Sequence, residues 1–515
     1  MEHSPATLMV AALNGRNDEP CIRRDEGDLS YREVRALVSQ YRQALAKRSV
    51  APGATVGLLG ANTVEMLLVM TALTLCGTTR VPMNARGSLE DHAFLLADSG
   101  AGVLVYDAAE FGARAQELAQ RHPSLILVPY GSDGADTLGA VAAACDPQPM
   151  TRETLAEWSP SDLALIGYTG GTTGGPKGVR SPNSVQAWMT IIQLAEWDWP
   201  DTVTSTVVTP LSHSGMVVAL TSWLRGGSVH VLEGRFSAER FFDAVARHRI
   251  TTTLVVPTII YALLDSPALE RADLSSLETV FYGSAPMAPA RLAEAIRRIG
   301  PVFSQFYGQS EAPMTVCTMP KRDHDPDDLA RLASCGRPVP WIEVSLRDED
   351  GPVADGQPGE ICVRGPLVMD GYQNRPEETA AALAGGWLLT GDIARRDPNG
   401  FLTIVDRKKD MVISGGFNVY PREVEGALER HPAVGQVAVI GVPDERWGEA
   451  VHAVVALREG RTATADELIA HVKSLKGSVQ APKSIEFRAE LPLTAVGKVD
   501  KKALRTHWTA AQTSV

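Results

Sequence analysis

The sequence predicts an α/β fold in which a large N-terminal domain of α/β subdomains precedes a small α+β C-terminal domain. Two observations predict it. Short apolar runs alternate with amphipathic segments of helical length over most of the 515 residues, and this alternation is typical of parallel βαβ units. The pattern then shortens after Gly400, where the charged run Asp406–Asp410 follows a last strand. We therefore predict a large domain over 1–405, a linker at 406–410 and a small domain over 411–515.

The first elements of the large domain have clear boundaries in the sequence. Ser30 and Glu33 form the S-x-x-E pattern of a capping box, and apolar residues then recur on one helical face to residue 47. Ser88 and Asp91 open another helix. The other predicted elements here are strands over 54–59, 79–83 and 102–106 and a helix over 62–76.

A second series of strands follows a Pro- and Ala-rich stretch near 145–160. The strand predicted at 163–168 runs directly into a glycine-rich segment. The later strands are predicted at 204–208, 229–232, 253–256, 279–282 and 401–405, with helices between them. Trp197 and Trp199 are predicted to pack in the core.

Composition and charge exclude several classes of protein. The net charge of −12 argues against a nucleic-acid-binding protein, which usually has a basic face. No window approaches ~18 uninterrupted apolar residues, and the N-terminus lacks the basic start of a signal peptide. The six cysteines include no C-x-x-C pair. We therefore expect a cytoplasmic protein with reduced thiols and no membrane span.

The segment YTGGTTGGPKG, residues 168–178, is the strongest local signal. Glycines allow backbone N–H groups to turn toward an anion, threonine hydroxyls add donors, and Lys177 adds a positive charge. These features fit a polyphosphate. Pro176 and Gly178 stand where a Walker A loop needs Gly and Ser or Thr, which disfavours a P-loop NTPase. A flexible surface loop is the alternative.

Two further segments stand at predicted strand ends, YGSAP at 282–286 and FYGQSEAP at 306–313. Ligands of α/β sheets bind at such ends. Tyr307 could stack on a base, and Glu311 could hold a divalent cation, because Mg²⁺ prefers oxygen ligands. Taken singly, each segment fits an ordinary turn equally well.

The order of six motifs is more specific than any one of them. Three more follow the segments above: GWLLTGD at 386–392, DRKKDMVISGGFN at 406–418 and LPLTAVGKVD at 491–500. Together the six closely resemble the acyl-adenylate-forming superfamily, from about residue 28 to 505. That superfamily contains acyl-CoA synthetases, adenylation domains of peptide synthetases and luciferases. VIGVPDERWGEA at 439–450 and SGGFNVYPREVE at 414–425 look most like bacterial acyl-CoA or aryl-CoA ligases.

The resemblance implies two half-reactions. A carboxylate first attacks the α-phosphate of ATP, which gives acyl-AMP and pyrophosphate. A nucleophile, usually the thiol of coenzyme A, then displaces AMP. In this superfamily the small C-terminal domain is mobile and rotates between the two steps, which implies a hinge at Lys409. ATP and Mg²⁺ are the implied cofactors, with coenzyme A as co-substrate.

The same resemblance assigns roles residue by residue. The glycine-rich loop would bind the β- and γ-phosphates through Thr169, Gly170, Gly171, Thr172, Thr173 and Lys177. The strand-end segments would frame the adenine and contact the α-phosphate through Gly283, Ser284, Ala285, Tyr307, Gly308, Gln309 and Ser310. Asp392, helped by Arg407, would bind the ribose hydroxyls, and Mg²⁺ would lie near Thr169 and Glu311.

The acyl group and its transfer are assigned in the same way. Lys498 would bridge the attacking carboxylate and the phosphate, because its charge offsets the repulsion between two anions. His213 would lie beside the substrate carboxylate, with a buried structural histidine as the alternative. The acceptor tunnel would be lined by Gly415, Gly416 and Phe417, and the acyl pocket by Met216, Val217, Val256, Tyr282, Gly308 and Met314. The mostly apolar pocket suits a hydrophobic acid, and we expect a small or medium cyclic, aromatic or branched one.

Several positions depart from the superfamily pattern. Gly170 replaces a serine and Ser310 a threonine, whereas Val496 replaces a serine and Gln480 a lysine in the small domain. The last two leave adenylation intact but bear on the second step. The leading hypothesis is a carboxylate–CoA ligase; the alternative is an amide-forming ligase of the coronafacate-ligase type, which passes the acyl group to an amino acid. An inactive relative is disfavoured because Lys177, Glu311, Asp392, Arg407 and Lys498 are all present. A homodimer is compatible with the sequence.

Overall fold

The computed structural model describes residues 3–131, 134–155, 159–169, 176–414, 417–444, 447–493 and 499–512. The chain divides into two compact units. The first comprises Met1–Glu343 and Val363–Leu388, and the second Val344–Cys362 and Leu389–Val515. The predicted α/β class is confirmed.

Two mixed sheets form the centre of the first unit. In one, the strands lie in the order Arg337–Pro338, Ala312–Met319, Phe303–Gln309, Thr279–Tyr282, Thr252–Val255, Thr204–Val207, Ser228–Val231, Pro20–Arg23 and Leu29–Ser30. In the other, the order is Gly371–Tyr372, Lys177–Pro182, Leu163–Thr169, Thr79–Met83, Thr55–Leu59, Val103–Asp107 and Ile126–Tyr130. The inner strands of both sheets are parallel, as the alternating pattern predicts.

Helices of the first unit cover the sheets with their apolar faces. The helix Tyr31–Lys47 begins after Ser30, whose side chain accepts from the Glu33 N–H in the predicted capping box. Ser88 and Asp91 form a second capping box. The remaining helices are Pro5–Asn14, Val64–Leu75, Leu89–Ser99, Ala108–Arg121, Leu138–Ala143, Asn183–Glu196, Met216–Leu224, Ala238–His248, Pro257–Asp265, Pro289–Ile299, Leu329–Leu332 and Pro376–Ala382.

An aromatic cluster joins the first sheet to the helix Asn183–Glu196. Trp197 is buried and stacks on Phe306 with ring centroids 5.1 Å apart, and it lies 4.6 Å from the ring of Phe281. Trp199 packs against Trp197 and Phe281. Both tryptophans therefore belong to the core, as predicted.

The second unit contains two smaller sheets. One has the strands Gly351–Pro352, Glu343–Asp348, Gly359–Arg364, Leu388–Arg396 and Leu402–Arg407, and the other Phe417–Val419, Val412–Ser414, Gly448–Leu457, Val434–Asp444 and Ser484–Phe487. Its helices are Pro421–Glu429, Ala465–Lys476 and Lys501–Gln512. The strand Leu402–Arg407 extends two residues into the run predicted as a linker, because Asp406 and Arg407 pair with Ile393 and Asp392.

Two expectations about composition can be compared with this fold. In the described ranges, no helix combines the length and hydropathy needed to cross a bilayer. All six cysteines are free thiols, five of them buried.

Candidate active site

Two predicted ATP segments meet at adjacent strand ends in the first unit. Tyr282 and Gln305 are paired in neighbouring parallel strands, so the residues that follow Tyr282 leave the sheet beside the end of the strand Phe303–Gln309. A Cβ atom on Gly283 would lie 2.4 Å from the carbonyl oxygen of Phe306, so only glycine fits there. Ser284 has a φ of 65°, a backbone conformation that is uncommon for a residue with a side chain and is concentrated at functional sites.

The hairpin that carries the second segment is equally tight. Gln309 pairs with Ala312, which places Ser310 and Glu311 at the turn. A Cβ atom on Gly308 would lie 2.3 Å from the backbone nitrogen of Met314, and Met314 itself has a φ of 58°. The sequence segments 283–285 and 307–311 therefore form one neighbouring pair of loops.

Tyr372 connects the predicted phosphate and magnesium residues. Its hydroxyl donates to Oε1 of Glu311 at 2.8 Å, and Nζ of Lys177 lies 5.1 Å from the centre of its ring. The two-residue strand Gly371–Tyr372 reaches this place by pairing with the strand that starts at Lys177. A cation suited to phosphate and a carboxylate suited to Mg²⁺ thus share one supporting side chain.

Tyr372 was not predicted from the sequence. The segment Gly371–Tyr372 is too short to show strand periodicity, and its pairing partner lies far away in the chain. The sequence signal beside it is the glycine at 371. In the structure its φ is 138°, and a Cβ atom there would lie 2.7 Å from Cγ2 of Thr379. Thr379 in turn accepts from the Tyr372 N–H at 2.9 Å through its hydroxyl oxygen.

If Glu311 holds the Mg²⁺ that the superfamily resemblance implies, Tyr372→Phe should raise the Mg²⁺ concentration needed for half-maximal adenylation about tenfold, because a donor to the Glu311 carboxylate is lost. ATP–pyrophosphate exchange measured against Mg²⁺ checks this. Tyr372→Leu is the matched variant, since it removes the ring contact to Lys177 as well and should weaken ATP binding further. Equal behaviour of the wild type and Tyr372→Phe would show that the hydrogen bond has no such role.

Of the glycine-rich segment, the structure describes the residues at its two ends. Thr169 and Lys177 pair across an antiparallel hairpin, and the Thr169 hydroxyl is 3.5 Å from the Lys177 carbonyl oxygen. Tyr168 is anchored by a 2.7 Å hydrogen bond to Oδ2 of Asp98. Gly170, Gly171, Thr172 and Thr173 lie outside the described residues.

His213 stands among the residues that line an internal cavity of the first unit, together with Met216 and Val217. It remains exposed, and its Nδ1 lies 3.1 Å from the Ser212 hydroxyl. Desolvation by the surrounding protein lowers the pKa of the imidazole. This shift favours the neutral imidazole, which can donate from one ring nitrogen and accept at the other.

The other predicted pocket residues divide between two places. Met314 packs against the first core, the buried cluster that contains Phe281, Phe306 and Met216, and its sulfur is 3.6 Å from Nε2 of Gln193. Val256 immediately precedes the helix Pro257–Asp265. Tyr282 belongs to the other core cluster; its hydroxyl contacts Gln305 and His324. Successive strand residues face opposite sides of a sheet, so Phe281 faces the cluster containing Met216 and Tyr282 faces the other one; the assignment of Tyr282 to the acyl pocket stays a prediction.

The predicted ribose-binding pair lies in the second unit. Asp392 is 3% exposed, and its Oδ1 is 2.6 Å from Nε of Arg407, which stands opposite it in the neighbouring strand. The Arg407 side chain is 44% exposed. A nearly buried carboxylate is thus fixed by a guanidinium that is itself open to solvent, which suits a carboxylate that accepts from hydroxyl groups.

Glu360 supports this pair and was not found from the sequence. It is 8% exposed, and its carboxylate accepts from the Gly391 N–H at 2.8 Å and from Nζ of Lys408 at 3.0 Å. Gly391 has a φ of 72° and immediately precedes Asp392. Glu360 therefore fixes the turn that presents Asp392.

The charged run after this strand is held by ion pairs and hydrogen bonds. Asp410 binds Arg505 at 2.8 Å, and the buried Asp406 accepts from the Arg422 N–H at 2.8 Å. Burial lowers the pKa of the Lys409 ammonium, with the nearby Arg407 as a second cause. Phe417 is 60% exposed, whereas Gly415, Gly416 and Lys498 lie outside the described residues.

Sequence comparison agrees with the motifs. A profile of AMP-binding enzymes matches residues 10–373, and a profile of the AMP-binding enzyme C-terminal domain matches residues 423–498. A medium/long-chain-fatty-acid–CoA ligase of Mycobacterium tuberculosis is 45% identical over 99% of this chain and 91% of its own length. Feruloyl-CoA synthase of an Amycolatopsis species is 37% identical over 94% of this chain and 95% of its own.

Structural comparison gives the same fold. The amide bond synthetase McbA of Marinactinospora thermotolerans superposes with a TM-score of 0.90 at 32% identity, covering 98% of this chain and 99% of that one. ATP-bound MatB of Rhodopseudomonas palustris superposes with a TM-score of 0.88 at 28% identity, over 98% and 99% of the two chains.

Proposed function

Because the chain belongs to the AMP-binding enzyme family of ATP-dependent ligases, we propose that it activates a hydrophobic carboxylic acid as acyl-AMP and transfers the acyl group to coenzyme A. The observation that carries this proposal is the pair formed by Lys177 and Glu311 around Tyr372. It provides a cation for phosphate oxygens next to a carboxylate for a metal ion. Relatives that are CoA ligases along nearly their whole length support the acceptor.

In the first step a carboxylate oxygen of the acid attacks the α-phosphorus, the bond to the bridging oxygen breaks, and pyrophosphate leaves. Lys177 and the hydroxyl of Thr169 would bind pyrophosphate oxygens, and Ser310 an α-phosphate oxygen. Asp392 would fix the ribose by accepting from its hydroxyls. Catalysis is then mostly the positioning of two anions and the stabilisation of charge.

Magnesium is part of this proposal, and the residues present fit it. Mg²⁺ is usually held by one or two carboxylates together with substrate phosphates, and Glu311 supplies such a carboxylate beside the proposed phosphate site. When bound, the ion would neutralise charge on the phosphate oxygens. Glu311, kept in place by the Tyr372 hydroxyl and by its own carbonyl, which accepts from the Met369 N–H at 2.8 Å, would be the protein ligand with Thr169.

In the second step the thiol of coenzyme A loses its proton to solvent and its sulfur attacks the acyl carbon; the bond from that carbon to the phosphate oxygen breaks, and AMP leaves with the electron pair. His213 would contact the acyl carboxylate in the first step and lie near the thiol in the second. Phe417, with Gly415 and Gly416, would line the approach of the thiol. The hinge at Lys409 would place these residues and Lys498 in alternate positions.

An amide-forming ligase is the second candidate, because the solved structure of an amide bond synthetase resembles this chain over almost its whole length. Gln480 and Val496, which replace residues usual in CoA ligases, also favour it. In that reaction an amine nitrogen, in place of the sulfur, attacks the acyl carbon.

A cytoplasmic location and a homodimer are further proposals, tested by cell fractionation and by light scattering of the purified protein.

Mass spectrometry distinguishes the two ligase reactions. The protein is incubated with ATP, Mg²⁺, a panel of carboxylic acids and either coenzyme A or a mixture of amino acids. We expect acyl-CoA to form at the rate of pyrophosphate release. Acyl-AMP or an acyl-amino acid without thioester would establish the amide-forming reaction instead, and the absence of pyrophosphate release with every acid would overturn both.

A further inference from the structure

Arg80 is a buried cation for which the described residues provide no carboxylate partner. It lies in the strand Thr79–Met83, pairs with Leu165 and is 8% exposed. Its Nε is 3.4 Å from the Ala164 carbonyl oxygen, and no acidic side chain in the described ranges forms an ion pair with it. Burial lowers the pKa of its guanidinium to about 10. A neighbouring carboxylate would oppose that shift.

Two cavities of the first unit share the Arg80 side chain as a lining residue. The smaller one is also lined by Ser4, Thr78 and Asn183. The larger has about 40 Å³ of space for the centres of water molecules, which is room for a few waters. Its wall includes the polar side chains of Gln186, Thr190 and Ser212. It also includes His213, Met216 and Val217, which are assigned to the acyl site.

Uncompensated burial of a guanidinium is unfavourable, and removing such charges from protein interiors is often neutral or stabilising. A position of this kind is therefore explained best by an anion that the protein binds. The cavity that contains Arg80 also contains His213, which the proposed function places beside the reacting carboxylate. An acid that enters past His213 and Met216 would have its far end directed to Arg80.

We propose that Arg80 binds a second carboxylate at the far end of the acyl substrate, so that the preferred acid has an apolar body and a distal anionic group. The proposal rests on the function proposed above and specifies its substrate class. A carboxylate is about the size of the few waters that the cavity admits, and Gln186, Thr190 and Ser212 supply neutral polar neighbours for it. Met216 and Val217 would contact the methylene body.

A structural role for Arg80 is the competing explanation. The helix Val64–Leu75 ends beside it, because Thr74, Leu75 and Gly77 line the smaller cavity with Arg80. Carbonyl groups at a helix C-terminus attract a cation, and ordered water could connect them to the guanidinium. In that case Arg80 would stabilise the fold and would have no effect on the choice of acid.

The kinetic test compares straight-chain acids of four to twelve carbons with the α,ω-diacids of equal length and with keto acids that carry the ketone at the next-to-last carbon. We expect Arg80→Met to lower the ratio of kcat/KM for diacid over monoacid by about tenfold or more at the preferred length. Arg225→Met, which removes an arginine outside this cavity, should leave the ratio unchanged. If Arg80→Met lowered kcat/KM relative to the monoacid for keto acids but not for diacids, Arg80 would bind a neutral carbonyl group and not a carboxylate. That result would overturn the proposal.

A thermal-stability measurement separates the ligand-binding role from the structural one without any turnover. Without acid, Arg80→Met should melt at the same temperature as the wild type or higher, and it should lose the extra rise in melting temperature that the diacid gives over the monoacid. A lower melting temperature with an unchanged diacid effect would show that Arg80 is structural. If the wild type released no pyrophosphate with any acid but kept an Arg80-dependent diacid effect, only the proposed function would fail.

Discussion

Asp392→Ala should lower kcat/KM for ATP by about 10²- to 10⁴-fold, because two ribose hydroxyls would lose a charged acceptor and each such hydrogen bond contributes roughly 1.5–3 kcal/mol. The carboxylate is nearly buried and is oriented by Arg407 at 2.6 Å, so its position is fixed by the protein. ATP–pyrophosphate exchange at varied ATP concentration measures the effect. The KM for the acid should change much less.

Two further variants make this result specific. Asp392→Asn keeps the shape of the side chain and one oxygen acceptor, and we expect it to lose about tenfold, less than the alanine variant. Asp355→Asn replaces an exposed aspartate of the same unit and should behave as the wild type. An unchanged KM for ATP in a folded Asp392→Asn protein would show that Asp392 does not bind the ribose.

Local sequence patterns predicted the elements of the first unit well. The capping boxes at Ser30 and Ser88 start helices where expected, and the strand Thr279–Tyr282 has the predicted bounds. These features depend on residues three or four positions apart or on short apolar runs. Such information is contained in the local sequence, so it does not require knowledge of the fold.

Supporting residues of the site depend on contacts between distant parts of the chain. Tyr372 reaches Glu311 only because its short strand pairs with Arg180 and Val179, and Glu360 reaches Gly391 across a different sheet. Neither residue stands in a recognisable motif. Arg80 is similar: as one charge within the apolar strand Thr79–Met83, it looks like the exposed residue of a half-buried strand until the cavities around it are known.

The face of the sheet on which a side chain lies is also not contained in a motif. A motif assigns Tyr282 to a strand end but does not say which side of the sheet its ring takes. Phe281 packs with Trp197 in the first core, and Tyr282 packs with Phe303 in the second. Because side chains alternate along a strand, an assignment that is right for the backbone can be wrong for the side chain by one residue.

Lys498→Ala should abolish most adenylation while sparing acyl transfer. We expect the rate of ATP-dependent acyl-AMP formation to fall about 10²- to 10³-fold, as it does when one charge-stabilising group is removed from a transition state. Conversion of supplied acyl-AMP to acyl-CoA should stay within about twofold of the wild type, because the lysine would lie away from the acyl group in that step. Single-turnover assays of each half-reaction measure the two rates separately.

The matched control is Lys502→Ala, an exposed lysine of the helix Lys501–Gln512. It removes the same charge four residues away, so it separates the role of one ammonium from the general charge of this unit. Leu493 and Val499 form a bridge on either side of Lys498, which keeps the ends of that segment together in both variants. If Lys498→Ala slowed both half-reactions equally, the lysine would act in both steps or support the fold. The proposal that the small domain takes one position for adenylation and another for acyl transfer would then lose this support.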